Sequence, residues 1–335
     1  MDKRILCSLL SGFLHVPLST NLVAALYATD LIYQFPNGTW VENVARRPEG
    51  SIHATSITSP DLHLLQSSSA RPDPKLIHTN GGSTSLLEIT ETTADTIFVV
   101  VCNRITDPIP VSPGSSSIRR VSFPQYHSND DYGPHVSLLT QLPTVGFPNG
   151  LVTLGGDRIL LADSTKAQVL AIDTETGALD AAIVDPLFSP ATEVSNGFDG
   201  LKIHGNTLYF ANTAQKSLGR VDIKVETGRQ LGPAAIVAHN PPPSMPDYFA
   251  LSRSGDAAFL CNAPSHRIER VDLESRSVAI VNSTEIAQPT AATFGRNEKE
   301  NILFVTTAGG LLFPVNGDEI VGGQVIAVNL GKEGT

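Results

Sequence analysis

Short runs of apolar and β-branched residues, each bounded by Gly, Asn or Asp, recur along the chain, and no long segment keeps its apolar residues at helical spacing. The runs come in groups. Asn149–Leu154, the turn Gly155-Gly156-Asp157, Arg158–Ser164 and Val169–Asp173 make one group. Asn196–Ile203, the turn His204-Gly205-Asn206, Thr207–Thr213 and Leu218–Asp222 make the next. A third runs from Asp247 through the turn Arg253–Asp256 to Cys261-Asn262 and closes at Val271-Asp272. In each, a strand begins beside a polar residue, a second ends on a small polar residue, and a third ends on an apolar-Asp pair. Weaker copies span Glu42–Leu65, Leu76–Val121 and Pro289–Asn329. Strand groups repeating on this scale predict an all-β fold, a six-bladed β-propeller with four-stranded blades, over residues 26–335. Pro241-Pro242-Pro243 and Ser112–Ser117 read as connecting loops rather than domain boundaries, because the repeats continue on both sides.

Composition adds exclusions. With 41% hydrophobic and 17% charged residues the chain has material for a large core, which argues against disorder. A net charge of −10 without a long Lys/Arg cluster predicts no nucleic-acid partner and no membrane partner. Asp2-Lys3-Arg4, the apolar run Ile5–Leu18 and the small residues Ala24-Ala25 read as a signal peptide or a short N-terminal helix over residues 1–25. The expected location is the secretory pathway or outside the cell in the first case and the cytoplasm in the second. His15 and Pro17 interrupt the run, which is too short to span a bilayer. Asn37-Gly38-Thr39 and Asn282-Ser283-Thr284 are glycosylation sequons that fit secretion. Cys102 and Cys261 close similar strands of copies on opposite sides of the ring, so both are expected as buried free thiols. His127–His135 carries ligand-type residues at a spacing that matches no standard metal loop, and reads as a solvated excursion.

A propeller gathers residues far apart in sequence, because the loop into each innermost strand and the loop after each second strand open on one face. Glu42, Glu88, Asn149, Asn196, Asp247 and Thr290 lead into the strands, one per blade. Asn103, Asp163, Asn212, Asn262 and Thr307 end second strands, and Trp40, Phe147, Phe198, Tyr248, Phe249 and Phe313 are expected at the same rim. The pattern predicts a small-molecule site: a polar floor whose catalytic candidates are Glu42, Asn149, Asn196 and Asp247, under aromatic walls. Trp40, Phe147, Phe198, Tyr248, Phe313, Asp163, Asn212, Asn262 and Thr307 are the substrate-binding candidates. The competing reading is structural: polar residues that cap strand ends and rings that pack between blades.

Phe35–Ala45, Asn149-Gly150-Leu151, Pro289–Arg296 and Val305–Gly310 resemble a fungal group within the gluconolactonase/regucalcin-like superfamily, and the likeness covers nearly all of the chain after residue 30. The resemblance implies a six-bladed propeller and two activities. One is that of the hetero-Diels–Alderases of tropolone–sesquiterpenoid and related pathways: a pericyclase that orients a heterodiene such as an o-quinone methide against a terpene alkene. It would need no cofactor, and its partner would be a polyketide or terpenoid small molecule. The other is a lactonase that uses Ca²⁺ or another divalent ion, for which Glu42, Asn149, Asn196 and Asp247 look like the ligand positions. Glu42-Asn43-Val44 departs from the Glu-Gly-Pro of hydrolytic members, and Phe147, Phe198 and Tyr248 stand where sugar-binding arginine would, which favours a large apolar substrate. A non-catalytic binding module is the third expectation, since propellers often serve as scaffolds. The oligomeric state is not legible.

Overall fold

The computed structural model describes residues 27–47, 50–65, 73–93, 96–103, 111–123, 133–155, 157–190, 197–240, 244–282, 286–295 and 301–331. They form six antiparallel four-stranded sheets arranged as a propeller. Strand β1 (Thr29–Asn37) comes first in sequence and is used last in the ring. Blade 1 is β2 (Val41–Arg46), β3 (Ile52–Ser56), β4 (Asp61–Leu65) and β5 (Lys75–Thr79). Blade 2 is β6 (Ser85–Thr93), β7 (Thr96–Cys102), β8 (Ser117–Ser122) and β9 (His135–Gln141). Blade 3 follows as β10 (Pro148–Gly155), β11 (Arg158–Asp163), β12 (Gln168–Asp173) and β13 (Leu179–Val184). Blade 4 comprises β14 (Phe198–His204), β15 (Thr207–Asn212), β16 (Ser217–Asp222) and β17 (Ala235–His239). Blade 5 comprises β18 (Pro246–Leu251), β19 (Ala257–Asn262), β20 (Arg267–Asp272) and β21 (Val278–Asn282). In blade 6, β22 (Pro289–Phe294), β23 (Ile302–Thr307) and β24 (Gly322–Asn329) take β1 as their outermost strand, in register from Thr29↔Val328 to Asn37↔Gly322.

Blades 3, 4 and 5 fall where the sequence groups place them. The weaker copies shift. Leu76 is in the outermost strand of blade 1 rather than at the start of blade 2, and blade 2 runs on to Gln141. These outer strands are half exposed and carry little apolar alternation, so their hydrophobic pattern does not announce them. His135 opens β9, while residues 127–132 of the expected excursion, the proposed leader at 1–25 and Asn196 lie outside the described residues.

The apolar-Asp pairs have a turn function. Asp173 Oδ1 accepts from the Glu175 and Thr176 amides at 3.0 and 2.8 Å, and Asp272 Oδ1 from the Ser275 amide at 2.7 Å, which fixes the turn into each outermost strand. Between blades the faces are apolar. Phe188, Phe198 and Phe210 fill the seam of blades 3 and 4; Phe249, Leu260 and Leu218 fill that of blades 4 and 5. Phe35, Ile52 and Phe304 join blade 6 to blade 1. Cys102 and Cys261 are buried free thiols in blades 2 and 5, as expected.

The innermost strands pack side by side around the axis, β2 against β6 and β22, and β10, β14 and β18 in succession between them. Closing the ring requires β1. Without residues 1–37, β24 presents an open edge, an invitation to pair with another chain. A chain beginning at Gly38 is expected to melt several degrees lower and to elute as aggregates on size exclusion; an unchanged melt and a single monodisperse species would contradict this role.

Candidate functional site

Every innermost strand breaks register with its neighbour at the same place. The breaks fall between Val41 and Val44, Leu86 and Ile89, Pro148 and Leu151, Phe198 and Leu201, Pro246 and Phe249, and Pro289 and Ala292. A bulge leaves two residues unpaired and re-aims their side chains. Six repeats of it set a ring of paired positions around the axis. The pairs are Glu42-Asn43, Leu87-Glu88, Asn149-Gly150, Asp199-Gly200, Asp247-Tyr248 and Thr290-Ala291.

These side chains reach across blade boundaries. Asn43 Nδ2 donates to Glu88 Oε2 at 2.6 Å, and Asn149 Nδ2 to Asp199 Oδ2 at 2.8 Å. Asp199 also accepts a side-chain hydrogen bond from Asp247, so a protonated carboxyl of blade 5 faces a carboxyl of blade 4. Thr290 Oγ1 donates to Val41 O at 2.7 Å and joins blade 6 to blade 1. Tyr248 spans farther: its hydroxyl, carried by blade 5, donates to Leu151 O of blade 3 at 2.7 Å. Its ring crosses blade 4 at Gly200, where a Cβ would lie 2.8 Å from the ring carbons. Gly150 is needed in the same way, with φ +117° and a would-be Cβ 2.9 Å from Asp199 O. Tyr248 is thereby a fixed floor.

The acids are crowded and poorly solvated. Burial raises Asp199 to about 7, against the hydrogen bonds from Asp247, the Gly200 amide, Thr213 and Asn149 that favour its charge. Burial, then the charges of Asp199 and Glu42, push Asp247 well above the carboxylate range. Glu88 is pushed up by burial, Asp199 and Glu42, with Asn43 and Lys202 opposing. Lys202, three residues beyond Asp199 on β14, is lowered to about 8 by burial, with Glu88 opposing. At neutral pH the cluster holds protons, and the Asp199–Asp247 pair shares one.

The sequence candidates divide. Glu42, Asn149, Asp247 and Tyr248 are on the ring. The fourth polar position is taken by Asp199; Asn196 is outside the described residues. Asp163, Asn212, Asn262 and Thr307 are fully buried and bind loop backbone, which corrects their assignment to the substrate. Asp163 accepts from the Gly146, Phe147 and Lys166 amides, Asn212 holds Leu187 O, Ser189 O and the Gln215 amide, Asn262 takes the Met245 amide, and Thr307 takes the Gln324 amide. Adjacent hydroxyls latch the blades: Ser164 donates to Phe198 O and Thr213 to Pro246 O. Phe198 is no wall either, since it stacks on Phe188 at 4.3 Å inside the blade 3–4 seam. Trp40 and Phe147 join one apolar cluster with Val111, Val145 and Ala308, with Leu311 packed on it, all from loops on the open face. Phe313 is half-buried beside it, its amide held by Gln288 Oε1 at 3.2 Å. Glu88, Asn43 and Lys202 complete a site in which acids and one ammonium adjoin apolar loops.

A divalent ion fits this set in chemical kind. Asn149 Oδ1 and Asp199 Oδ1 are buried without a hydrogen-bond partner, and such oxygens suit a hard cation. Yet among the described residues no three His, Cys, Asp or Glu side chains gather closely enough to hold one.

The raised acids have a measurable cost. The folded chain keeps protons on Asp199 and Asp247 that an unfolded chain sheds near about pH 4. Their contribution is therefore least unfavourable below that pH and worsens as pH climbs toward about 7. Asp199→Asn is expected to raise the melting temperature at pH 8 by on the order of a few degrees relative to its effect at pH 5. A melting difference that does not change with pH would contradict the shifted acids.

Residues 185–309 match the SMP-30/Gluconolactonase/LRE-like region. A protein of a Phoma species that bears the name hetero-Diels-Alderase is 27% identical over 321 residues, covering 84% of this chain and 86% of that protein. Another of that name from Sarocladium schorii is 26% identical over 345 residues, covering 89% and 82%. Among solved structures, the calcium-binding protein regucalcin from Agrobacterium tumefaciens superposes with a TM-score of 0.63 at 15% identity, covering 91% of this chain and 96% of that one, a likeness of fold. The chain is thus a six-bladed propeller of regucalcin-like fold with a gluconolactonase-like region, similar over most of its length to fungal proteins named hetero-Diels-Alderases.

Proposed function

We propose that this protein is a hetero-Diels–Alderase of fungal secondary metabolism, a cofactor-free pericyclase that forms and orients a heterodiene such as an o-quinone methide against a terpene alkene. What carries the reading is the Asp199–Asp247 carboxyl pair, buried across blades 4 and 5 and pushed by burial toward its protonated form, in a ring whose open face bears an apolar cluster of loops. Such a pair is a proton source at neutral pH. With an o-hydroxybenzylic type of alcohol, Asp247 gives its proton to the leaving hydroxyl, the C–O bond breaks, and water departs. The substrate's own ring hydroxyl returns a proton to the carboxylate pair, so the dehydration leaves the protein unchanged. Cycloaddition then needs no nucleophile. Holding diene and alkene in a reactive arrangement contributes up to roughly 7–11 kcal/mol. Trp40 and Phe147 supply an apolar surface for a terpene, and the Tyr248 ring limits depth.

Asp247→Asn is expected to lower turnover of an alcohol precursor about a hundredfold to ten-thousandfold while the stereoisomer ratio of residual product stays that of the wild type. Activity should fall as pH rises well beyond the ordinary carboxylate range, because the protonated form of Asp247 is the working one. An isomer ratio identical with and without enzyme overturns the reading.

The orphaned oxygens of Asn149 and Asp199 favour one second reading, a metal-dependent lactonase. Glu42, Asn149 and Asp199 would hold a Ca²⁺ or similar ion, which supplies Lewis-acid polarisation of a lactone carbonyl when bound. Exhaustive dialysis against chelator separates the two. The pericyclase retains its rate and contains no stoichiometric metal by elemental analysis; lactone hydrolysis that vanishes with chelator and returns with Ca²⁺ would instead establish the hydrolase.

A further inference from the structure

Among the described residues, Asn43, Asn149, Tyr248 and Thr290 of the ring each donate to a neighbour. One N–H of Asn43 goes to Glu88 and one of Asn149 to Asp199; the hydroxyls of Tyr248 and Thr290 go to Leu151 O and Val41 O. Arg46, another cation on the innermost strands, lies over the Phe304 ring at 4.5 Å and donates to Gly50 O. Lys202 differs. Among the described residues its ammonium rests on the face of the Tyr248 ring, 4.6 Å from the centroid, and takes part in no hydrogen bond or ion pair. It is half-buried, whereas Leu201 before it is fully enclosed. Three charged N–H donors are thus available beside a ring that its own hydroxyl tether and the missing Cβ of Gly200 hold in place.

An ammonium over an aromatic face, with its remaining directions unfilled, suits an oxygen that carries or gains negative charge. We propose that Lys202 is the oxygen-recognition residue of this site: its ammonium, held beside Tyr248, receives the carbonyl or enolate oxygen of the substrate. The identity of that oxygen as the heterodiene's rests on the pericyclase reading. In that reaction the carbonyl oxygen becomes more negative as the ring closes, and a fixed cationic donor stabilises that change more than the ground state. The substrate class is narrowed accordingly, to conjugated carbonyl compounds with an acidic hydroxyl rather than neutral sugars or simple lactones.

The test uses the full chain and 4-nitrophenol, whose phenolate absorbs in the visible, titrated slightly below the probe's own pKa. Wild type is expected to bind the probe as phenolate and 4-nitroanisole more weakly. Lys202→Met should weaken phenolate binding roughly tenfold to a hundredfold and abolish the colour shift, while Lys202→Arg restores most of both. Circular dichroism and melting of both variants show that the fold is kept. Equal phenolate binding by Lys202→Met, a wild type that binds neither probe, or equal affinity for 4-nitroanisole overturns the proposal. Because the probe is no diene, a phenolate shift that depends on Lys202 stands even where enzyme leaves the cycloaddition isomer ratio unchanged, and that pair of results overturns only the pericyclase reading.

Discussion

Ring closure forces four carboxyl groups into one poorly hydrated space. Glu42, Glu88, Asp199 and Asp247 come from four different blades, and no pair is adjacent in sequence. Each sits at a bulge, and the bulges recur because the innermost strand of every blade must both pair with its second strand and turn its edge to the axis. Once the ring is closed the acids cannot escape to water, and burial pushes Glu88, Asp199 and Asp247 toward their protonated forms. Hydrogen bonds across blade boundaries then do two things at once. Asn43 to Glu88, Asn149 to Asp199 and Asp247 to Asp199 hold the blades in angular register, and they fix which carboxyl carries hydrogen.

Stability and chemistry are separated by radius. Apolar seams such as Phe188–Phe198–Phe210 and Phe249–Leu260 hold neighbouring blades along their length. At the second-strand ends, Asp163, Asn212 and Asn262 spend their hydrogen bonds on the loops that lead to the inner strands, while Ser164 and Thr213 tie each blade to the next. Among the described residues, the bulge positions, Lys202 and the loops above them are what this arrangement offers a ligand. Asn240 and Asn262 on Glu269 illustrate the same economy farther out, a buried carboxylate saturated by amides and by Arg267 at 2.6 Å.

Much of this was legible in the chain, in proportion to how locally each feature is determined. The apolar-Asp endings mark turns that depend on three or four consecutive residues, so blades 3 to 5 could be drawn from the sequence. The outer strands β5 and β9 depend on their neighbours for pairing and have no strong period, and Leu76 was therefore placed in the wrong blade. The inner-ring positions of Glu42, Asn149 and Asp247 are legible from their place at the head of a strand. Asp199 was missed because Asn196-Gly197 repeats the Asn149-Gly150 dipeptide three residues early. The longer match, Asn149-Gly150-Leu151 with Asp199-Gly200-Leu201, has the correct register, and the glycine explains why: both positions need a missing Cβ for a close approach. Phe198 reads like a rim residue until its seam partners are known. No pattern singles out Lys202, whose significance lies in Tyr248 arriving from the next blade.

The central physical claim is that a carboxyl proton remains inside the ring at neutral pH. Infrared difference spectroscopy reads it directly through the C=O stretch of a protonated buried acid, which stands apart from the carboxylate bands. The account predicts such a band at pH 7, diminishing as pH is raised and weakened in Asp247→Asn. A spectrum at pH 7 with carboxylate bands alone, unchanged by that substitution, would contradict it.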